Sequence, residues 1–134
     1  MILKGRSIAK GSGRGELLVS PAPISFLSGV NPDTGIVVEK GHPLEGKTVA
    51  GRVLAFPYGK GSTVGSYIIY ALQQNGTAPA AIINVEAEPI IAVGAIIAGI
   101  PMIDRLPLDL ADLQDGTEVT VEGDSGELIC GDTE

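Results

Sequence analysis

Tryptophan is missing from this 134-residue chain, and aromatic residues make up only 4% of it. With so few aromatic faces, a base-stacking platform for nucleic acid has little to be built from. Positive charge is scarce too. Nine Lys and Arg stand against sixteen Asp and Glu, a formal charge of −7, and no basic cluster offsets it. Such a surface repels nucleic acid and anionic membrane, so neither is an expected partner. One cysteine, Cys130, and one histidine, His42, complete the shortages. A disulfide framework, a Cys-rich zinc site and a self-contained iron–sulfur site are excluded within one chain. A His-paired nucleophile would have to use His42 or a partner. Long apolar runs are absent as well. The longest, Pro89 to Met102, is too short to span a bilayer and carries two glycines. Met1 to Arg6 is not followed by a signal-type apolar region. The expectation is a soluble, cytoplasmic protein.

What is present is globular. Hydrophobic residues reach 44% and charged residues 19%, enough for a real core in one domain spanning residues 1–134. Nineteen glycines and nine prolines without a period favour many turns and short strands over a helix bundle. ILKGRSIAKG and GELLVS read as strands around a glycine-rich turn, Gly11 to Gly15. Ile24 to Leu27 reads as a short extended piece, and Asn31 to Gly35 (NPDTG) as strong turn chemistry. IVVEK is expected as a strand, GHPLEGK as a turn, and TVAGRVLAFP as a strand whose buried run is Val53, Leu54 and Ala55.

Val64, Tyr67, Ile68, Ala71 and Leu72 then recur at i, i+3, i+4, i+7 and i+8, predicting an amphipathic helix that Asn75-Gly76 ends. PAAIINVE is a continuous apolar run, typical of a buried parallel strand. Pro89 opens a second helix and Gly99 closes it. IPMID is a further strand, LADLQDG a short helix or turn, and TEVTVEGDSGELI a hairpin turning at Gly123 to Gly126. The order is β-rich, then β-α-β-α-β, then a hairpin. The fold class expected is α/β: a central parallel sheet with helices on one side and a second, antiparallel β layer.

The stretch PYGKGSTVGSY, Pro57 to Tyr67, carries the chemistry. It superficially resembles a phosphate-binding loop. That motif, with its Lys at Lys60 and second Gly at Gly59, needs Gly at position 54 and Ser or Thr at 61; the chain has Leu54 and Gly61. Two readings survive. Ser62 or Thr63 caps the following helix, or the loop is an anion site at the carboxyl end of a parallel strand. There the glycines let the backbone approach a ligand, the first-turn N–H groups and helix dipole favour negative charge, and Lys60 adds a cation.

The sequence GKGSTVGS resembles the G-x-G-S loop of the mobile swivel domain of aconitase and its relatives. The wider run from PISFLSGVNPDTG through GHPLEGK to this loop is similar to the small subunit of the aconitase X family, over about Gly5 to Pro107. The combination, in this order, is what makes the resemblance specific. It implies a swivelling β/β/α domain and a hydro-lyase active only with a large subunit. Ser62 would be the catalytic base. Lys60, Gly61, Thr63, Ser25, Asn31 and His42 would line the substrate site. An iron–sulfur cluster of the 4Fe–4S type would sit on the large subunit, since one cysteine cannot hold it.

Within the family, separate small subunits of this length imply dehydration of (R)-5-phosphomevalonate to trans-anhydromevalonate 5-phosphate, in a modified mevalonate route to isoprenoids. Other members act on hydroxy acids such as cis-3-hydroxyproline. A non-catalytic partner-binding module is a further alternative. A phosphohistidine-carrying swivel domain would need a Gly-rich Thr-x-His segment, which EKGHPLEGK lacks.

The chain departs from the pattern in two places. Aconitase reads G-x-G-S-S-R-E, but Thr63 and Val64 stand here, so an arginine is missing; Arg6, Arg14, Arg52 or a partner arginine are the substitutes. Asn31 stands where the family usually has Asp. Residue chemistry alone leaves bland roles open. Ser25, Asn31 and Thr34 suit turns and caps, His42 a structural histidine, Lys60 a solvated lysine, and Cys130 an inert thiol.

Overall fold

The computed structural model describes residues 2–61 and 63–130. In chain order the strands are Ile2–Lys4 (β1), Arg6–Ala9 (β2), Ser12–Val19 (β3), Val53–Phe56 (β4), Ala81–Asn84 (β5), Met102–Asp104 (β6), Glu118–Glu122 (β7) and Glu127–Cys130 (β8). The helices are Phe26–Gly29 (α1), Gly65–Gln74 (α2) and Pro89–Ala98 (α3), with a 3-10 turn at Leu110–Asp112.

β3 belongs to two layers. Its first half pairs antiparallel with β7, from Ser12 opposite Glu122 to Glu16 opposite Glu118. Its second half runs parallel to β4, from Leu17 opposite Val53 to Val19 opposite Ala55. β5 and β6 continue the parallel sheet, and β2 closes its edge antiparallel to β6. β1 pairs with β8 in the antiparallel layer, so the chain passes between layers again at Gly5.

Period-two alternation divides the core. Leu17, Val53, Ala55, Ala81, Ile83 and Ile103 pack with Val119, Val121 and Leu128 of the antiparallel layer. Leu18, Leu54, Phe56, Ile82 and Met102 pack with Ile69, Leu72, Ile91 and Ala95 of the helices. A sheet covered on both faces needs apolar residues at every position, which is why β4 and β5 are near-continuous apolar runs. Fully burying a side chain such as Leu54 stabilises by about 1.5–3 kcal/mol. The three-layer α/β architecture expected from the order of elements is the one observed.

α3 shows why its segment is helical. Pro89 opens it, and both carboxylate oxygens of Glu88 accept from the N–H groups of Ile90 and Ile91, at 2.9 and 2.8 Å. Gly99 ends it in the left-handed region, φ 71°. Among the described residues no helix is long and apolar enough to cross a membrane.

Several local expectations are corrected. The run 11–15 is not a turn: only Gly11 turns, and Gly13 and Gly15 lie inside β3. A side chain at either would collide with backbone, the Ala80 carbonyl and the Gly51 carbonyl respectively. Residues 26–29 form α1 rather than an extended piece. IVVEK makes only isolated bridges, Val37 to Val30 and Ile36 to Thr48, and the strand expected from Thr48 begins at Val53. The buried face of α2 is Gly65, Ile69 and Leu72 with Ile68 beside them, while Tyr67 is 69% exposed. The apolar periodicity counted a tyrosine that the fold turns outward.

Candidate active site

β4 ends at Phe56, and the chain leaves over the carboxyl edge of the parallel sheet. The next residues are pinned from two sides. The Pro57 carbonyl accepts from the N–H groups of Val85 and Glu86, at 3.0 and 3.4 Å. On the other side Ile24 pairs with the loop: its N–H donates to the Tyr58 carbonyl at 3.4 Å, and its carbonyl accepts from Lys60 N–H at 3.0 Å. Ile24 and Gly59 form a parallel bridge.

Two glycines make this approach possible. A Cβ at Gly59 would overlap the side chain of buried Ile91 and lie 2.8 Å from Glu88 Oε1, one of the two oxygens that cap α3. Gly61 has φ 95°, and a Cβ there would lie 2.8 Å from Ser25 Oγ. The loop is thereby wedged between α3 and the start of α1, and it leads into the N-terminus of the ten-residue α2. That terminus carries roughly half a positive charge.

Ser62, expected as the base, lies outside the described residues. Its chain neighbours Gly61 and Thr63 are described. Thr63 is not the helix cap: the N-cap position is Val64, and the Thr63 carbonyl accepts from the Ser66 hydroxyl and N–H, at 3.0 and 3.3 Å. Ser25 is buried next to Gly61, with its hydroxyl 3.4 Å from that of Ser28. Lys60 reaches Glu39 at 3.4 Å, an exposed ion pair with the stretch that follows α1. Lys60, Gly61 and Ser25 are therefore brought together.

Asn31, Thr34 and His42 serve their own turns. Asn31 Oδ1 accepts from Asp33 N–H at 2.9 Å, and Thr34 Oγ1 from Ile36 N–H at 3.2 Å. The Pro32 carbonyl binds Asn75 Nδ2 and Thr77 Oγ1, at 2.9 and 2.8 Å, tying this turn to the C-terminal end of α2 rather than to its start. His42 is buried with both ring nitrogens in hydrogen bonds, to Leu44 N–H and to the Pro23 carbonyl.

Of the three candidate arginines, only Arg6 lies at the carboxyl edge of the parallel strands. Its guanidinium forks onto the fully buried Asp104, at 2.9 and 2.7 Å. That hydrogen bond is the largest cause holding Arg6 above the ordinary guanidinium value. Asp104 also accepts from Ala87 N–H at 2.7 Å, fixing the segment that runs into Glu88. Arg52 instead reaches the Leu17 carbonyl at the amino end of β4, and Arg14 pairs with Glu118 in the antiparallel layer.

Sequence reasoning missed several residues at this edge. Arg105 forks onto Glu86, at 3.0 and 2.8 Å, and holds that carboxyl below the usual carboxylate range. Arg105 is also the one described non-glycine residue with positive φ, 56°. Asn84 donates to the Phe56 carbonyl at 3.0 Å, and its Oδ1 is buried with no partner among the described residues. A polar residue closing the doubly buried run AIIN was a readable signal; the partner of Glu39, 21 residues away, was not.

A groove of about 240 Å³ between the starts of α2 and α3 borders the loop, lined by Thr63, Ser66, Pro89, Ile90 and Val93. A larger groove of about 410 Å³ lies at the opposite end of α3, against β2, and Lys10 is the only titratable group lining it. Its place beside the loop, with the hydroxyl residues Thr63 and Ser66 in its lining, and not its volume, favours the first. Among the described residues no three His, Cys, Asp or Glu side chains converge as a metal-ligand set. Cys130 closes β8, and burial pushes its thiol upward.

The aconitase X swivel domain family model matches residues 2–130. The chain belongs to this family. A phosphomevalonate dehydratase small subunit from Methanocella arvoryzae is 60% identical over 127 residues, covering 94% of this chain and 96% of the relative. One from Methanosarcina acetivorans is 58% identical, covering 95% and 90%. A crystal structure of Thermococcus kodakaraensis aconitase X in its holo-form superposes with a TM-score of 0.94 at 52% identity, covering 98% of this chain and 99% of that one.

Proposed function

We propose that this chain is the small subunit of a hydro-lyase that dehydrates (R)-5-phosphomevalonate to trans-anhydromevalonate 5-phosphate, with Ser62 as the base. The observation that carries the reading is the loop itself. It holds two glycines with no room for a side chain and opens onto a helix N-terminus. It lies at the carboxyl edge of a parallel sheet, where open α/β folds bind ligands. The names of the relatives supply the substrate.

The reaction takes a proton from the carbon beside a carboxylate and a hydroxide from the next carbon. A serine hydroxyl is a poor base because its alkoxide is unstable in water. It becomes competent where N–H groups, a helix dipole and a cation stabilise the alkoxide in a dry site. The start of α2 and Lys60 supply these, with Glu39 holding Lys60 in place. Departure of the hydroxide calls for a Lewis acid. We assign that to an iron–sulfur centre on the large subunit, because this chain has a single cysteine, too few to hold a cluster. Tyr58 in the loop, Val64 just after it and Val85, whose N–H donates to the Pro57 carbonyl, are all exposed, apolar surface suited to that subunit.

The test is anaerobic co-production with a cognate large subunit, assayed on (R)-5-phosphomevalonate and on cis-3-hydroxyproline. Phosphomevalonate is expected to be dehydrated, and Ser62→Ala to leave the pair assembled but inactive. Turnover of hydroxyproline alone would move the chain to another substrate. Near-normal turnover by Ser62→Ala would remove the base.

A further inference from the structure

We propose that His42 is a positioning residue for the Pro57–Gly61 loop, acting through the segment Pro23–Ser25 and not on the substrate. The proposal rests on that loop being the catalytic one. His42 is 7% exposed. Its Nδ1 lies 3.0 Å from Leu44 N–H, which can only donate, so Nδ1 is the acceptor and the ring hydrogen sits on Nε2. Nε2 then donates to the Pro23 carbonyl at 3.0 Å. No hydrogen-bonding capacity remains for a ligand.

The next two residues carry the constraint to the loop. Ile24 is buried and pairs with both Tyr58 and Lys60. Ser25 sets its hydroxyl against Gly61. A second link starts in the same turn. The Glu39 carbonyl accepts from His42 N–H at 3.2 Å, and the Glu39 carboxylate holds Lys60. A closed ring of contacts thus reaches the loop through its backbone on one side and its cation on the other. A shift of about 1 Å in a catalytic group can cost on the order of a hundredfold in rate.

Three variants separate this role from simple support of the turn. Asn places an acceptor where Nδ1 stands, keeping the Leu44 contact but losing the Pro23 contact. Gln places a donor near Nε2, and Ala removes both. In the assembled enzyme, His42→Ala and His42→Asn are expected to lower kcat about ten- to a hundredfold with KM changed less than about threefold. His42→Gln should recover part of kcat. Hydrogen exchange of the Lys60 amide, which donates to Ile24, should quicken in His42→Ala and His42→Asn in the chain alone, a measurement that needs no activity.

Wild-type kcat in His42→Asn would overturn the proposal, and so would unchanged Lys60 exchange in that variant. If His42→Ala fails to fold, His42→Asn decides, because it keeps the turn. If the wild-type pair dehydrates neither acid, the functional reading fails by itself, while the exchange measurement still decides whether His42 fixes the loop.

Discussion

Replacing Gly59 by alanine tests the packing on which the loop depends. The new Cβ would overlap Ile91 Cγ1 and lie 2.6 Å from its Cδ1 and 2.8 Å from Glu88 Oε1. Neither neighbour yields easily. Ile91 is 2% exposed in the core between sheet and helices, and Glu88 is committed to two N–H groups of α3. Overpacking a filled site costs about 1–3 kcal/mol, and weakening a helix cap about 1 kcal/mol more. The expected loss is therefore roughly 2–4 kcal/mol. Unfolding entropy is about 0.28 kcal/mol per kelvin for 134 residues. Tm should thus fall by roughly 7–14 °C, read by circular dichroism or calorimetry.

Gly41→Ala is the control. Unlike Gly59 it has positive φ, 79°, and nothing stands within 4 Å of its Cβ position, so only backbone strain of about 1–2 kcal/mol applies, without a clash. The clash also predicts coupling. Ile91→Ala makes room, so the double variant with Gly59→Ala should be more stable than the sum of the single losses by about 1 kcal/mol or more. A Tm for Gly59→Ala within about 2 °C of wild type, or strict additivity with Ile91→Ala, would refute the reasoning.

Lys60→Met should cost less than about 1 kcal/mol of stability, because its pair with Glu39 is exposed, yet lower kcat of the assembled enzyme at least about tenfold; unchanged kcat would remove Lys60 from the site. Tyr67→Ser should leave chemical denaturation within about 0.5 kcal/mol of wild type, and Ile69→Ala should lose about 2–5 kcal/mol. Equal losses would mean that the buried face of α2 is misassigned. Glu86 is held below the usual carboxylate range chiefly by its hydrogen bond from Arg105, so it stabilises the folded chain above that range. That stability drains away as pH falls through the lowered value. In a Tm-against-pH series, Glu86→Gln should therefore show a shallower acid-side decline than wild type, and parallel declines would show that the pair contributes nothing.

How far the chain could be read in advance follows from how local each signal was. Pro89 with Gly99 announced α3, and the glycines at 123 and 126 announced the final hairpin, because caps and turns are written in adjacent residues. IVVEK misled because β-branched residues suit strands, but a strand also needs a partner, and this stretch finds only two isolated bridges. Tyr67 misled because an amphipathic count treats the aromatic ring as core, whereas the sheet meets α2 one residue further round, at Ile68 and Ile69. The Gly11–Gly15 run misled because two of its glycines serve close backbone crossings, not a turn.

At the site, the sequence by itself determined the chemistry on offer. It set a glycine-framed loop ending in Ser62 at the head of a helix, one histidine, one cysteine and an acidic surface. Only the tertiary structure decided which of the distant residues meet it. Ser25 and Glu39 reach the loop, and of the three candidate arginines only Arg6 lies on its edge of the sheet; the turn that carries Asn31 is tied, through the Pro32 carbonyl, to the far end of α2. The reason is physical. Spacing along the chain sets which side of a strand or helix a residue occupies. Strand order and register, fixed by burying both faces of the parallel sheet at once, set which loops share an edge.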